Sequence, residues 1–151
     1  MIVQSDNSAM YLLGREEPDA IDKVFSTLRI LYPLENQGDF MSAATYSRLF
    51  RTLYNSTYLS RPDSEEALRL LSYTNFRRGL VQGTATTTVS HKFGEQTIEG
   101  GEIDQKELHD CGIVYYPEKP YFLCVMTKGE DFGKLEKVIG GISKLVFTHI
   151  H

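Results

Sequence analysis

Two short polar clusters carry the residue types that could do chemistry. One is Ser5-Asp6-Asn7, near the start; the other is His91-Lys92-Phe93-Gly94-Glu95, beyond the middle of the 151-residue chain. They offer a hydroxyl, a side-chain amide, an ammonium and a glycine. Each cluster also has a bland reading. Ser-Asp-Asn is good N-cap material ahead of the helix-like run Ser8-Ala-Met-Tyr-Leu-Leu13, and a lysine at the end of a strand is usually a solvated charge. Order and setting along the chain decide between these readings.

The elements that must position the two clusters follow from periodicity. Before Gly79 the apolar residues recur at helical spacing. Ala20, Ile21, Val24, Phe25, Leu28 and Leu31 form one stripe. Tyr46, Leu49, Phe50, Leu53 and Tyr54 form a second, starting just after Ser42, a good N-cap. Ala67, Leu68, Leu70 and Leu71 form a third, entered through Ser60-Arg-Pro-Asp63-Ser64-Glu-Glu with its capping residues and early acidic charge. Pro33 and Glu35-Asn-Gln-Gly-Asp39 read as a loop between helices.

After Gly79 the period becomes that of strands. Thr84 to His91 is a β-preferring run, which puts Lys92 at its end. Leu108 to Tyr116 and Tyr121 to Thr127 are two more strands, joined by the turn Pro117-Glu-Lys-Pro120. The last of them is apolar on both faces, which predicts a central strand covered by layers on both sides. Phe132, Leu135, Val138, Ile139, Ile142, Leu145 and Val146 form a closing amphipathic helix. Gly140 and Gly141 within it are expected to let it lie close on the sheet. The plan is α+β: a helical part and a three-stranded antiparallel sheet with a C-terminal helix packed on it. The chain reads as one incomplete domain over 1–151, mainly helical over 1–80, with the sheet and C-terminal helix over 81–151.

Composition narrows the function classes. Sixteen basic against twenty acidic residues give a net charge of -4, so there is no general attraction for phosphate backbones and no nucleic-acid partner is expected. No apolar run approaches the roughly 20 residues of a membrane helix. MIVQSDNSAM has neither a basic n-region nor a long apolar h-region and does not read as a signal peptide. Cys111 and Cys124 lie on opposite arms of a hairpin. A bridge between them is open, but their apolar strand setting favours buried free thiols. The histidines, His91, His109, His149 and His151, lack metal-ligand spacing, so no metal and no other cofactor is expected. Asn55-Ser-Thr57 matches the glycosylation sequon, a short and common pattern, and Arg77-Arg78 reads as a solvated turn.

The order of the clusters resembles that of class A β-lactamases and the wider penicillin-recognising serine hydrolases, which carry S-x-x-K, then S-D-N, then K-T-G on a strand. Here S-D-N is followed by a helical stretch, K-F-G on a strand, a β-hairpin and a C-terminal helix. The run from Leu108-His-Asp110-Cys-Gly112-Ile-Val114 to Thr127-Lys-Gly129 is similar to the paired strands after K-T-G in that family. Met41 to Tyr54 looks like the helix after its omega loop. The resemblance spans essentially the whole chain and implies the C-terminal part of a partial β-lactamase/transpeptidase-like fold.

It also implies roles. Ser5 would pass a proton towards the leaving amide nitrogen. Asn7 would hold the substrate's side-chain amide, and Lys92 would place positive charge near Ser5 and the substrate carboxylate. The backbone N–H of Glu95 would be one oxyanion donor, and Gly94 would let substrate approach the strand. Ser5 and Lys92 are thus the catalytic candidates, and Asn7, Phe93, Gly94 and Glu95 the substrate-binding ones. The implied substrates are β-lactams or cell-wall D-Ala peptides, met outside the cytoplasm.

Three departures qualify that picture. No serine has a lysine three residues on; the nearest miss is Ser26-Thr-Leu-Arg29, and arginine cannot act as a base. The chain therefore reads as a portion of a longer protein, without its first helix, two strands and the nucleophile helix, and inactive alone. Phe93 stands where the family has Thr or Ser, removing a hydroxyl for the substrate carboxylate. The E-x-x-L-N glutamate is not recognisable beyond a faint echo in Leu34-Glu35-Asn36, so deacylation would be slow. Two alternatives follow: a non-catalytic binding or assembly module that keeps the fold, and an unrelated α+β domain with chance motifs. Strand 121–127 would then be an open apolar edge, predicting a homodimer or complementation by the missing N-terminal segment.

Overall fold

Most of the helix starts are set by side chains that accept backbone N–H groups of the first turn. In a computed structural model, which describes residues 1–30, 41–101 and 103–150, Asp6 accepts the backbone N–H groups of Ser8 (2.8 Å) and Ala9 (3.2 Å) and opens α1, Asn7–Glu16. α2 spans Ala20–Thr27. Ser42 accepts from Thr45 N at 3.1 Å and opens α3, Ala43–Tyr54. Ser60 caps α4, Arg61–Ser72, where Pro62 sits in the first turn and lacks the N–H that would go unused there. Both serine caps fall where the sequence places them. A 3₁₀ helix, Leu80–Gly83, leads into the sheet.

The sheet is antiparallel in the order β1-β2-β3, with β1 Val89–Ile98, β2 Gln105–Val114 and β3 Tyr121–Gly129. α5, Phe132–His149, follows, capped by Asp131. Alternation divides the strands between two cores. One, beneath α5 and the 3₁₀ helix, gathers Leu80, Leu108, Val114, Val125, Leu135 and Ile139. The other, beneath α3 and α4, gathers Phe50, Leu68, Leu71, Cys111 and Ile113. Each fully buried aliphatic or aromatic side chain contributes about 1.5–3 kcal/mol of transfer free energy. Polar stitches tie the helical part to β1: Ser90 Oγ donates to Leu68 O at 2.7 Å, and Thr74 Oγ1 lies 2.9 Å from His91 O.

Several expectations are corrected. β1 starts at Val89, not Thr84, because Thr87 N bonds back to Thr84 O (3.1 Å) and Ala85 adopts a left-handed φ of 51°. Turn hydrogen bonds override the β-preferring composition, and Lys92 falls inside the strand rather than at its end. β3 is covered by α3 on one face and α5 on the other, yet it is an outer strand of the described sheet rather than a central one. The expected free thiols are instead a Cys111–Cys124 disulfide, because the register sets the two residues directly opposite each other. Gly140 serves close packing against the 3₁₀ helix, not the sheet: a Cβ there would stand 2.7 Å from Gln82 Oε1. Arg77 and Arg78 are exposed as expected, with Arg78 Nε 3.2 Å from Glu136. The loop 35–39 and the Leu34-Glu35-Asn36 echo lie outside the described residues.

Candidate functional site

The start of the chain is shaped to present a hydroxyl. Asp6 N donates to Met1 O at 3.2 Å, closing a tight turn, and Asn75 N donates to Val3 O at 3.0 Å, pinning the segment beyond the end of α4. Ser5 sits at φ 53°, a left-handed conformation that non-glycine residues seldom adopt. Asp6 caps α1 and Asn7 is its first residue, so the capping role and the site geometry coexist in one tripeptide.

Opposite this turn stands β1. Lys92 Nζ donates to Ser5 Oγ at 2.6 Å, a contact between residues 87 apart in sequence. The same ammonium donates to Phe93 O, also at 2.6 Å. Ser5, Asp6 and Asn7 share with Lys92, Phe93, Gly94 and Glu95 one cavity of about 490 Å³. All six predicted site residues therefore meet around a single hollow. Gly94 is open above: a Cβ there would meet nothing within 4 Å.

Two chemical features of the hollow stand out. Lys92 is half-buried, and burial pushes its pKa below the ordinary lysine value, while the charge of Asp110 works the other way. Phe93 stacks its ring on Phe76 at a centroid distance of 4.3 Å and packs against the α5-side core. The Lys92 ammonium lies 4.8 Å from the Phe93 ring centroid, within cation–π range. Phe93 thus serves both the core and the lysine.

Sequence reasoning missed a second hollow, of about 410 Å³, which shares Lys92, Phe93 and Gly94 and adds Tyr46, Glu107 and His109. His109 Nδ1 accepts the Thr127 N–H at 3.2 Å, and Glu107 pairs with Lys128 at 3.3 Å. Burial, with Asp110 adding to it, raises the Tyr46 phenol. The signal for this grouping is strand register, which composition alone does not give. Among the described residues no group of three or more His, Cys, Asp or Glu side chains is arranged to hold a metal ion.

A model of the Beta-lactamase enzyme family matches residues 1–150. Similar solved structures include PBP-A, at a TM-score of 0.78 and 19% identity, covering 98% of this chain and 57% of that one. The TLA-1 extended-spectrum β-lactamase matches at a TM-score of 0.74 and 20% identity, covering 97% of this chain and 60% of that one. A β-lactamase from Sphaerobacter thermophilus matches at 0.75 and 18%, covering 93% and 56%. No curated protein matches. The chain belongs to the Beta-lactamase enzyme family. Its α+β arrangement, helices with a three-stranded antiparallel sheet and a C-terminal helix, is a partial β-lactamase-like fold, and it spans less than two thirds of the length of these structures.

Proposed function

We propose that the hollow between Ser5-Asp6-Asn7 and β1 is the substrate-holding half of a penicillin-recognising acyl-transfer site. In this reading Lys92 attracts the carboxylate of a β-lactam or cell-wall D-Ala peptide. Asn7 takes the substrate's side-chain amide, Ser5 relays a proton towards the leaving nitrogen, and Glu95 N–H stabilises the developing oxyanion. An ammonium–carboxylate contact of this kind is worth roughly 1.5–3 kcal/mol when partly desolvated. The observation that carries the reading is the 2.6 Å bond from Lys92 to Ser5. Besides joining the motifs, it holds a cation and a hydroxyl at one spot, as a proton relay beside an anion site requires.

The 151 residues hold no Ser-x-x-Lys, so the nucleophile of this reading is supplied by a preceding segment of the same protein, and the chain by itself forms no acyl-enzyme. The 1–151 unit is an incomplete domain, and the outer edge of β3 takes a further strand, from that segment or from a second copy. The Cys111–Cys124 bridge suits an oxidising compartment outside the cytoplasm. Among the described residues no helix is long and apolar enough to cross a membrane.

Fluorescent penicillin tests this reading. The chain alone should remain unlabelled. The chain extended by the in-frame coding sequence upstream of Met1, if that encodes Ser-x-x-Lys, should become labelled. Labelling of the chain alone would overturn the absent-nucleophile claim. A second reading, a non-catalytic binding module, is favoured by one observation: Phe93 packs on Phe76 and offers no hydroxyl. An extended chain that binds penicillin reversibly but is never acylated would establish it.

A further inference from the structure

The Cys111–Cys124 bridge stands in the wall of the candidate site. In the strand register Lys92 of β1 lies opposite Cys111 of β2, and Cys111 lies opposite Cys124 of β3. Side chains directly opposed across antiparallel strands point to one face, with Cβ atoms about 5 Å apart. Lys92 and Cys111 accordingly line the same hollow, the one of about 410 Å³. The stem of Lys92 is rooted beside the sulfur, while its ammonium reaches out to Ser5 Oγ and Phe93 O, both at 2.6 Å.

Closed, the bridge offers that ammonium no charge. Open, it leaves a thiol on Cys111, which is buried. A buried thiolate needs a cation, and a neighbouring ammonium lowers the pKa of a thiol. Two lysines line the hollow. Lys128 is paired with Glu107 at 3.3 Å, so Lys92 is the one available. Of the other titratable groups there, His109 holds the Thr127 N–H, and Tyr46 stays neutral because burial raises its pKa. On the Ser5 side, Asp6 is occupied in capping α1, and Glu95 is exposed. Between the neutral hydroxyl of Ser5 and an anion on its own sheet face, an ammonium favours the anion.

We propose that closing the Cys111–Cys124 bridge completes the candidate site: in the open form the Cys111 thiolate draws the Lys92 ammonium away from Ser5, and closure releases it. The closing step is a thiol–disulfide exchange with a disulfide oxidant. One cysteine thiolate attacks the oxidant and forms a mixed disulfide. The second cysteine attacks the chain's sulfur in that bond and expels the oxidant as a dithiol, so two electrons and two protons pass to it. The functional side rests on the reading of Lys92 given above, and it makes the site competent only once the chain has met an oxidising compartment.

NMR on the free chain tests the proposal, through the cross-peak between the Ser5 and Lys92 side chains at about pH 8.5, the ordinary thiol pKa. The oxidised wild type should show it, and reduction with dithiothreitol should abolish it. Two variants separate competition from the mere loss of a cross-link. Cys124→Ala, which frees the Cys111 thiol, should lose the cross-peak. Cys111→Ala, which removes that thiol, should keep it even under reductant. Cross-peaks kept in both variants, or lost in both, would overturn the proposal. Should either variant not fold, the reduced wild type decides: acidification below the pKa of the Cys111 thiol, followed at its Cβ signal, should restore the cross-peak. A reduced wild type that keeps the cross-peak at the higher pH, fails to regain it in acid, or unfolds would equally overturn it. An oxidised wild type without the cross-peak would remove the contact on which both this proposal and the reading of the site stand. Because no ligand enters these measurements, a failed penicillin assay leaves their outcome intact.

Discussion

Lys92 is the residue on which the two halves of the candidate site converge, and its contacts make definite demands. Ser5→Ala removes one of its two hydrogen-bond acceptors. Urea denaturation should show a loss of about 1 kcal/mol, the usual net worth of one such bond, and the Lys92 pKa should fall further. The pH dependence has a fixed sign. Burial already lowers that pKa from its ordinary value of 10.5. Between the lowered value and 10.5 the unfolded chain binds more protons than the folded one, so stability rises with pH across that window. Subtracting the stability of Lys92→Met from that of the wild type should leave a difference that is flat below the window and climbs through it. A difference that falls would show that burial does not dominate at this lysine. The residue types were legible in the sequence: Ser5, Asn7 and Lys92 stand out by kind and order. Their meeting was not, because nothing in a run of residues states that a left-handed Ser5 and a mid-strand lysine face each other. The resemblance supplied that link.

At the scale of elements, caps and close approaches set what each helix and strand tolerates. α1 buries none of its side chains, so packing gives it little support, and Asp6 matters more than an ordinary cap. Asp6→Ala should cost about 1 kcal/mol and speed amide exchange throughout Asn7–Glu16, while α3 and α4 keep their protection. In β2, a Cβ on Gly112 would lie 2.5 Å from both His91 Cβ and Ser90 O. Gly112→Ala should therefore destabilise the fold by about 1–3 kcal/mol, in the range of overpacked cores, as read by thermal or urea unfolding. Helix starts at Ser42 and Ser60 were readable because a cap is a local event of side chain and backbone. The start of β1 was not: the Thr-rich run before Val89 has strand composition but closes turn hydrogen bonds instead. The Cys111–Cys124 bridge was open but not favoured, since only register decides whether two strand cysteines stand opposite.

For the molecule as a whole, β3 is an outer strand with one edge left to pair. Both its faces are covered by helices, but its outer edge has no strand partner among the described residues. A nine-residue outer strand, Tyr121–Gly129, that is mostly apolar and without proline is a template for another strand. Sedimentation of the chain alone should show dimers or larger species at tens of micromolar, and added upstream segment should return it to a one-to-one complex. A well-folded monomer at all concentrations would contradict that account of the edge. The α+β plan was legible because periodicity switches from helical to strand spacing near Gly79; the hydropathy of strand 121–127 pointed to a central strand and only the family resemblance to an open edge, since an apolar strand reads the same at an edge and at a centre.

The central claim is that Ser5, Asn7 and Lys92 form one anion-accepting hollow, and NMR titration with benzylpenicillin tests it most directly. The account predicts saturable shifts at Ser5, Asn7 and Lys92 that share a single dissociation constant and vanish in Lys92→Ala. Shifts that leave these three residues unmoved, or that persist unchanged in Lys92→Ala, would contradict it.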